Sequence, residues 1–454
     1  MKALQRVFSS TLRMSAVYAL CVAAAPPAQA QSLSALIEHA RGYDAAWQAA
    51  RAQLQAAGSR AEQARAGLLP SAALTGGANY SRTDMSRARL SDVNVNGPSQ
   101  TLGVQATQPL YRPANRIAFE QGQRGTDFAQ AQLEGAEQDL LIRVTQAYFD
   151  VLAAGDTLTF VRAQKTAVAE QLAAAKRNFQ VGTTTVTDER EAQARHDLVT
   201  AQEIAASNDL HVKRLALDQL VGRTGATPLP LAQSAQLPAV QPDDVSNWVR
   251  SAEERQPQVR QALIALDMAK LETAKAKTGH LPTVDLQAGY NVQRTPNGSI
   301  SMPGVHSRTD AATVGVALNL PLFAGFAVQN RIKETLSLED KARADLDNAR
   351  RNVAQAARAA FFGVQSGLSQ VAALRAAESS SQSALDANKL GYEVGVRINI
   401  DVLNAQSQLY QTQRDLARAR YDVLVGSLRL KQAAGALSSD DVTGVNALLA
   451  SAKP

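Results

Sequence analysis

The sequence predicts a mainly α-helical fold with a small β part, in which a long helical hairpin and a β-hairpin form a unit that occurs twice. Two stretches, 113–180 and 327–390, consist largely of helix-forming residues and contain no internal proline. At 1.5 Å per residue, a helix over the first would be on the order of 100 Å long. Aromatic residues make up only 5% of the chain, so long helices packed through small side chains fit better than one compact core.

A tandem duplication is the second basis of the prediction. Landmark residues recur 212 or 213 positions apart, which is difficult to attribute to chance. The matched pairs are Leu69 with Leu281, Pro109 with Pro321, Gly182 with Gly395, Asp188 with Asp401, and Gly222 with Gly435. We therefore divide the chain into a signal peptide at 1–30, a first repeat at 31–222, a proline-rich linker at 223–243, a second repeat at 244–435 and a C-terminal tail at 436–454.

Both repeats show the same order of patterns. The first is predicted to have a helix over 32–67, a strand over 71–80, a polar loop over 83–98, a strand ending near 109, a long helix over 113–180, a turn over 181–186 and a helix ending at 222. The second is predicted to have a helix over 244–279, strands over 282–292 and 309–322, a long helix over 327–390, a turn over 391–398 and a helix over 399–435. The two shorter helices of each repeat together match the long one, so we expect them end to end along it.

The N-terminus has the features of an export signal. A basic leader with Lys2, Arg6 and Arg13 precedes the short apolar run 14–25, and Ala28-Gln29-Ala30 matches an A-x-A cleavage site. Removal of the leader reduces the formal net charge from +6 to +3. We therefore expect an exported, nearly neutral mature chain.

Several function classes are disfavoured by the composition. Cys21, the one cysteine, lies in the signal, and the bulky Leu20 before it departs from a lipoprotein box. No later run reaches the roughly 18 apolar residues of a membrane helix, and no basic block points to nucleic acid. The five histidines are scattered and no metal or phosphate-loop motif occurs, so we predict no enzyme, cofactor or metal site. The histidines are His39, His196, His211, His280 and His306.

The four predicted strands leave two possibilities open. Strands that span a membrane have about 9 to 11 residues, and a sheet edge in lipid leaves backbone groups without hydrogen bonds. A membrane barrel would therefore need strands pooled from two chains, giving eight, or three chains, giving twelve. Alternatively, two soluble hairpins pack on the helices. The length of the helices disfavours this alternative, because they could not also cover the strand faces.

Five segments spread over the chain carry a family resemblance: LLPSAALTGGANY, VQATQPLYRPANR, HLPTVDLQAGY, VGVALNLPLFAGFAVQNR and, most specifically, GYEVGVRINIDVLNAQSQLYQTQRDLARARYDVLVGSLRLKQAAGAL. They resemble the TolC family of outer-membrane channel proteins, and the resemblance covers nearly the whole mature chain. The resemblance implies a homotrimer with a 12-stranded outer-membrane barrel, continued by a helical α-barrel across the periplasm. It also implies three partners: a periplasmic adaptor, an inner-membrane ABC or RND transporter, and the lipid of the outer membrane.

The resemblance assigns a gate to the periplasmic tip, at the two predicted turns. The positions matching the family's polar latch are Gln171, Thr187, Asp188, Tyr392 and Arg397. An arginine that meets a carboxylate and a hydroxyl could hold a closed state that a partner then releases. The plainer alternative is that Asp188 and Asp401 are acids favoured in the first turn of a helix and that Thr187 is an N-cap.

The second turn also carries the positions that match the pore entrance. Asp401 and Asn404 share a helix face, and many relatives have aspartates at both. Asn404 departs from this pattern, so a trimer would present three carboxylates instead of six and bind cations more weakly. Gly182 and Gly395 match positions where the adaptor docks, although a glycine can also serve only to allow positive φ.

The function that follows is a trimeric channel-tunnel, gated at its tip, that passes substrates from an adaptor and transporter complex to the exterior. Type I protein secretion and multidrug efflux stay close alternatives, with the absent lipoprotein box favouring secretion. A competing class is a non-channel periplasmic or surface coiled-coil protein, such as an adhesin. The alternating strands argue against that class.

Overall fold

The computed structural model describes residues 31–86, 93–232, 235–299 and 302–450. The predicted signal peptide, with Cys21, lies outside the described residues. The first half contains α1 (Leu33–Tyr43), α2 (Ala45–Ala66), β1 (Ser71–Met85), β2 (Val93–Tyr111), α3 (Pro113–Gln180) and α4 (Val186–Val221). The second contains α5 (Val245–Arg255), α6 (Pro257–Lys277), β3 (Thr283–Thr295), β4 (Gly298–Ser299), β5 (Met302–Pro303), β6 (Ser307–Asn319), α7 (Ala327–Glu393) and α8 (Asn399–Ala433), and α9 (Ser439–Asn446) follows.

The mainly α-helical fold with a small β part is confirmed, and the two halves correspond element by element. The long helices α3 and α7 have 68 and 67 residues, and α4 and α8 have 36 and 35. Gly222 and Gly435, just beyond α4 and α8, have φ of +68° and +66°. Such left-handed residues end helices at low cost when they are glycine. The duplication therefore extends to the way the helices end.

Two predicted helices are each broken in the structure, so the prediction of single helices over 32–67 and 244–279 was wrong. Asp44 separates α1 from α2 because its side chain caps the new helix, accepting from the Trp47 N–H at 2.8 Å. Gln256 and Pro257 separate α5 from α6, with Pro257 in the first turn of α6. Proline suits that position, since its missing N–H would have no partner in the helix.

The helices pack as predicted, with the shorter ones along the long ones. Both α2 and α4 lie along α3, while α6 and α8 lie along α7. The two halves meet where α3 contacts α6 and α8. None of the helices in the described ranges combines the length and the hydropathy that a membrane span requires.

The largest apolar core lies midway along the long helices. The Phe149 ring is 5.5 Å from those of Tyr148 and Tyr421, on α3 and α8. The C-terminal tail, to which the sequence assigned no structure, contributes Val442 and Val445 of α9 to this core. The Leu33 N–H donates to the Asn446 side chain at 2.9 Å. Both ends of the described chain are thus fixed at one level of the molecule.

The four long strands form one antiparallel sheet in the order β1-β2-β3-β6. Their 13 to 19 residues exceed the predicted ten or so, because pairing of β1 with β2 continues to Met85 and Val93. The predicted loop over 83–98 is therefore shorter, and residues 87–92 lie outside the described ranges. The strand predicted over 309–322 ends at Asn319, before Pro321, which has no N–H to donate.

Candidate functional site

The two predicted turns form matching tips at one end of the helical hairpins. Gly182 and Gly395 have φ of +78° and +80°, a region that L side chains rarely adopt. No heavy atom lies within 4 Å of the position that a Cβ would occupy on either glycine. Glycine thus allows the positive φ that each turn needs. The space beside each glycine is also free of other atoms of the chain, so a partner can approach both tips.

Apolar side chains surround both glycines, a feature absent from the predicted site. Val181 and Val186 are 73% and 50% exposed at the first tip, and Val394 and Val396 are 65% and 75% exposed at the second. Exposed apolar residues clustered in this way are typical of a surface that contacts another protein. The β-branched residues on both sides of each glycine were the signal in the sequence that could have identified this surface.

At the first tip, Asp188 forms a capping box with Thr185. The Asp188 N–H donates to the Thr185 hydroxyl at 3.2 Å, and the Thr185 N–H donates to the Asp188 carboxylate at 3.0 Å. The N-cap of α4 is therefore Thr185, and the alternative that Thr187 is the cap was wrong. Thr187 is exposed and Asp188 is half-buried.

At the second tip, Arg397 lies over the backbone of the preceding turn. A Cβ added to Gly391 would be 2.7 Å from Cγ of Arg397, so the glycine makes room for the stem of the arginine. The Arg397 side chain is 60% exposed, and its Nη1 is 3.6 Å from Oδ2 of Asp401. The arginine is thus held at the tip with most of its donors free to reach another surface.

Tyr392 connects the second hairpin to the first. The Asn178 amide, near the end of α3, donates to the Tyr392 hydroxyl at 3.4 Å. Gln171, another predicted latch residue, is half-buried two turns earlier on α3. Asn178 was missed because nothing in the sequence indicates which face of α3 meets Tyr392.

The predicted entrance residues differ in their partners. Asp401 is half-buried beside Arg397. Asn404 is exposed, and its Oδ1 accepts from Nη2 of Arg195 at 2.8 Å. Arg195 lies on α4 of the other repeat, and no signal in the sequence links it to Asn404.

The structure of one chain thus brings some predicted residues together and keeps others apart. Asp188 is occupied by its capping box, and Arg397 is next to Asp401. Across the described residues, no ion pair forms between Arg397 and Asp188 within 4.0 Å. The latch between these two residues stays a prediction about contact between chains.

The sheet at the opposite end of the hairpins has one apolar face and one polar face. Cross-strand partners on the apolar face include Leu74 with Val104, Val104 with Tyr290, and Leu286 with Val316. This face is uncovered, with Leu74 71% and Val316 63% exposed. The opposite face carries small and polar residues such as Thr75, Gly103, Gln105, Gly289, Asn291 and Thr313.

A bidentate ion pair ties the sheet to the helices. Nε and Nη2 of Arg112, just before α3, donate to the two carboxylate oxygens of Asp285 on β3 at 2.8 and 2.6 Å. The Asp285 side chain is only 9% exposed. Because the pair has two parallel charge-assisted hydrogen bonds, it is both strong and directional. It fixes β3 to the start of α3.

The comparisons with known proteins agree with this arrangement. A sequence model of the family described as "Outer membrane efflux protein" matches residues 36–223 and 248–436. The outer membrane protein TolC of Vibrio cholerae is 32% identical over 93% of this chain and 95% of the relative. The proteases secretion protein PrtF of Dickeya chrysanthemi is 30% identical over 93% of this chain and 94% of the relative.

Solved structures show the same fold. The outer membrane protein VceC of Vibrio cholerae matches with a TM-score of 0.76 at 19% identity, over 89% of this chain and 96% of that one.

Proposed function

Because the chain belongs to the outer membrane efflux protein family, we propose that three copies form an outer-membrane duct for substrates delivered by an inner-membrane transporter. Energy for export comes from the transporter, and the duct supplies a gated passage. The proposal assigns no catalytic group.

The observation that carries the proposal is the sheet, with its exposed apolar face and its two outer strands. Among the described strands, β1 and β6 each pair on one side only. They run in opposite directions, because the four strands alternate. If β6 of one copy paired with β1 of the next, the antiparallel pattern would therefore continue between chains. Three copies would then form a closed barrel of twelve strands, with no sheet edge left in lipid.

The faces of the sheet support the same assembly. A closed barrel in a membrane places its apolar side against lipid and its polar side around the lumen. The face with Leu74 and Val316 suits lipid, and the face with Thr75 and Asn291 suits water. Glycines on the polar face, such as Gly103 opposite Asn291, leave space inside the barrel.

The tips are proposed as the docking surface for a periplasmic adaptor. Gly182 and Gly395 are open, and the valines beside them give each tip an apolar surface. An adaptor with apolar residues at its own tip would bury these side chains. Burial of apolar area contributes about 25 cal/mol per Å².

The gate is proposed to close by contacts between neighbouring chains at the same tips. Arg397 of one chain would bind Thr187 and Asp188 of another, with Tyr392 and Gln171 adding polar contacts. The exposure of Arg397 supports this role, since its guanidinium has donors beyond the contact with Asp401. Docking of the adaptor would then open the duct by competing for the tips.

The substrate class is proposed as a polypeptide exported by a type I system or a small molecule exported by efflux. PrtF is named as a protease secretion protein, and the family as efflux proteins. The coiled-coil adhesin alternative leaves the apolar sheet face without a partner.

Membrane fractionation and crosslinking test the proposal. The chain should stay in the outer-membrane fraction after a high-salt wash and leave it only with detergent. Crosslinking in cells followed by affinity purification should recover an adaptor and an inner-membrane transporter. Release by salt alone would contradict a duct, and the transporter that is recovered would distinguish secretion from efflux.

A further inference from the structure

A cavity of about 410 Å³ lies between α4 and α8, with α3 at its floor. It begins at the contact of Arg195 with Asn404 and extends along α8 to Arg414. Ten residues separate these two positions on α8, so the cavity is about 15 Å long. Both arginines line the cavity, and no acidic side chain of the described residues does.

Arg195 is bound by a neutral group. Its Nη2 donates to Oδ1 of Asn404 at 2.8 Å, and the side chain is half-buried. In the described ranges no carboxylate oxygen lies within 4.0 Å of its guanidinium. A guanidinium has five N–H donors, so Arg195 keeps both its positive charge and further donors toward the cavity.

Arg414 is held in the same way at the other end. Its Nη1 donates to Oε1 of Gln164 at 3.2 Å, and its Nη2 donates to Oε1 of Gln411 at 2.6 Å. Burial lowers the pKa of Arg414, while Asp415, beyond the cavity lining, acts in the opposite direction. An anion in the cavity would offset the cost of burying this charge.

The floor of the cavity is a buried polar side chain. Gln164 on α3 is 4% exposed, and its Nε2 lies 3.5 Å from the Ser407 hydroxyl oxygen, to which it donates. Because that oxygen acts as an acceptor here, the Ser407 O–H can donate elsewhere. The wall therefore offers two guanidinium groups and a hydroxyl as donors.

The neighbouring cavity along the same groove has a lining in which acidic and basic side chains are paired. It is lined by charges of both signs, among them Asp150 with Lys213 and Asp422 with Arg418. Those pairs lie at 3.3 and 3.8 Å. Arg414 lies between the two cavities and lines both, but on the side of Arg195 no acidic side chain of the described residues lines the cavity.

We propose that this cavity binds oxyanions, with Arg195 and Arg414 donating charge-assisted hydrogen bonds and Ser407 adding a neutral one. Sulfate, phosphate and carboxylate share the required chemistry, since guanidinium groups bind all three through paired N–H donors. The bound oxyanion can be a free inorganic anion or a carboxylate of an acidic polypeptide. The inference goes beyond the proposed duct, because binding requires only the folded hairpins.

Calorimetric titration of the purified full chain at constant ionic strength tests the site. Sodium sulfate is the first probe, and a tetrapeptide of glutamate is the second. Arg195→Gln should weaken sulfate binding at least about tenfold, as expected for loss of a hydrogen bond from a charged group. Asn404→Asp should weaken it similarly, because the new carboxylate would pair with Arg195 inside the chain.

Arg418→Gln is the matched control. This arginine lies one turn beyond Arg414 on α8, is 79% exposed, and does not line the cavity; its loss should leave sulfate binding unchanged. Neither Arg195→Gln nor Asn404→Asp removes a buried contact, so the test does not depend on a variant that fails to fold. Tighter binding of the peptide than of sulfate would indicate an acidic polypeptide as the occupant.

Two results would overturn the inference. One is that the native chain binds neither probe. The other is that sulfate binds the Arg195→Gln and Asn404→Asp variants as tightly as it binds the native chain. Melting temperatures of the variants equal to that of the native chain would establish that any loss of binding is local.

Discussion

Arg397 lies beside Asp401 of its own chain, with Nη1 3.6 Å from Oδ2, while Asp188 is engaged by Thr185 at the other tip. The positively charged side chain that the resemblance assigns to the latch is itself 60% exposed and therefore has only a weak local partner. Exposed pairs of this kind contribute less than about 1 kcal/mol. Such a contact can be exchanged for a stronger one with a neighbouring chain at little cost.

Replacement of Arg397 is predicted to open the duct. Arg397→Ala removes hydrogen bonds to charged groups worth about 1.5 to 3 kcal/mol each, so the ratio of open to closed channels should rise at least about tenfold. Single-channel recording in planar bilayers would show this as higher mean conductance. Tyr392→Phe should act in the same direction.

Arg418→Ala is the control for this prediction. It removes another arginine that pairs with an aspartate four residues later, at 3.8 Å on the same helix, but far from the tip. Equal conductance of the native chain and the Arg397→Ala variant would contradict a latch at this position.

The entrance carboxylates are predicted to bind cations weakly. Asp401→Ala should abolish block of the channel by multivalent cations added on the periplasmic side. Asn404→Asp combined with Arg195→Gln should strengthen that block, because the new carboxylate then has no guanidinium partner at 195 and a trimer would carry six carboxylates at the entrance instead of three. Persistence of full block in the Asp401→Ala variant would show that the cation binds elsewhere.

Asn399 is predicted to destabilise the tip. It is 3% exposed, and its amide nitrogen and oxygen have no hydrogen-bond partner within the described residues. A buried polar group without a partner costs about 1 to 3 kcal/mol, so Asn399→Leu should raise the melting temperature in detergent. Asn404→Leu, at an exposed position, should not. A lower melting temperature for Asn399→Leu would indicate that a neighbouring chain binds the amide.

Stability is predicted to depend on pH through Asp44. Its side chain is 7% exposed and bonded to Arg143 at 2.8 and 3.1 Å, and this hydrogen bonding holds the pKa of Asp44 below its usual value. Because the pKa of Asp44 is lower in the folded chain than in the unfolded chain, its ionised form stabilises the fold at pH values above the unfolded pKa of about 3.9. This stabilisation is lost as the pH falls through the folded pKa. Asp44→Asn should therefore cost about 1 to 3 kcal/mol at pH 7.

The difference in stability between the Asp44→Asn variant and the native chain should shrink as the pH falls below about 4. Melting temperatures measured across this range would test the dependence. Asp127→Asn serves as the control, because Asp127 pairs with Arg124 at 3.4 Å with both side chains exposed. A difference that stays constant between pH 7 and pH 3 would contradict the role of the ion pair.

Much of the fold could be predicted because it depends on local signals. Proline-free runs located α3 and α7, and glycines located the turns and the ends of α4 and α8. The breaks at Asp44 and Pro257 were missed, although both residues are favoured at helix starts. The helix α9 was missed as well, although Ser438 and Asp441 form a capping box at its start.

The candidate site was less predictable, because it depends on which helix faces meet. The turns containing Gly182 and Gly395 were located, yet the contacts of Asn178 with Tyr392 and of Arg195 with Asn404 join residues more than 200 positions apart. One sequence gives no signal for such pairs. The ion pair of Arg112 with Asp285 was missed for the same reason.

The proposed duct requires β1 of one chain to pair with β6 of the next, and disulfide crosslinking detects this pairing. Cys21, the one cysteine of the sequence, lies in the predicted signal peptide, and a Cys21→Ser background leaves only the introduced cysteines. Thr75→Cys on β1 can be combined in turn with cysteine at 309, 311 or 313 on β6. Thr101→Cys on β2 is the control, since its strand pairs on both sides within the chain.

We expect oxidation of at least one edge combination to give a covalent trimer on a denaturing gel, and the β2 control to give none. Absence of an interchain disulfide in every register, or linkage that stops at a dimer, would contradict a barrel pooled from three chains.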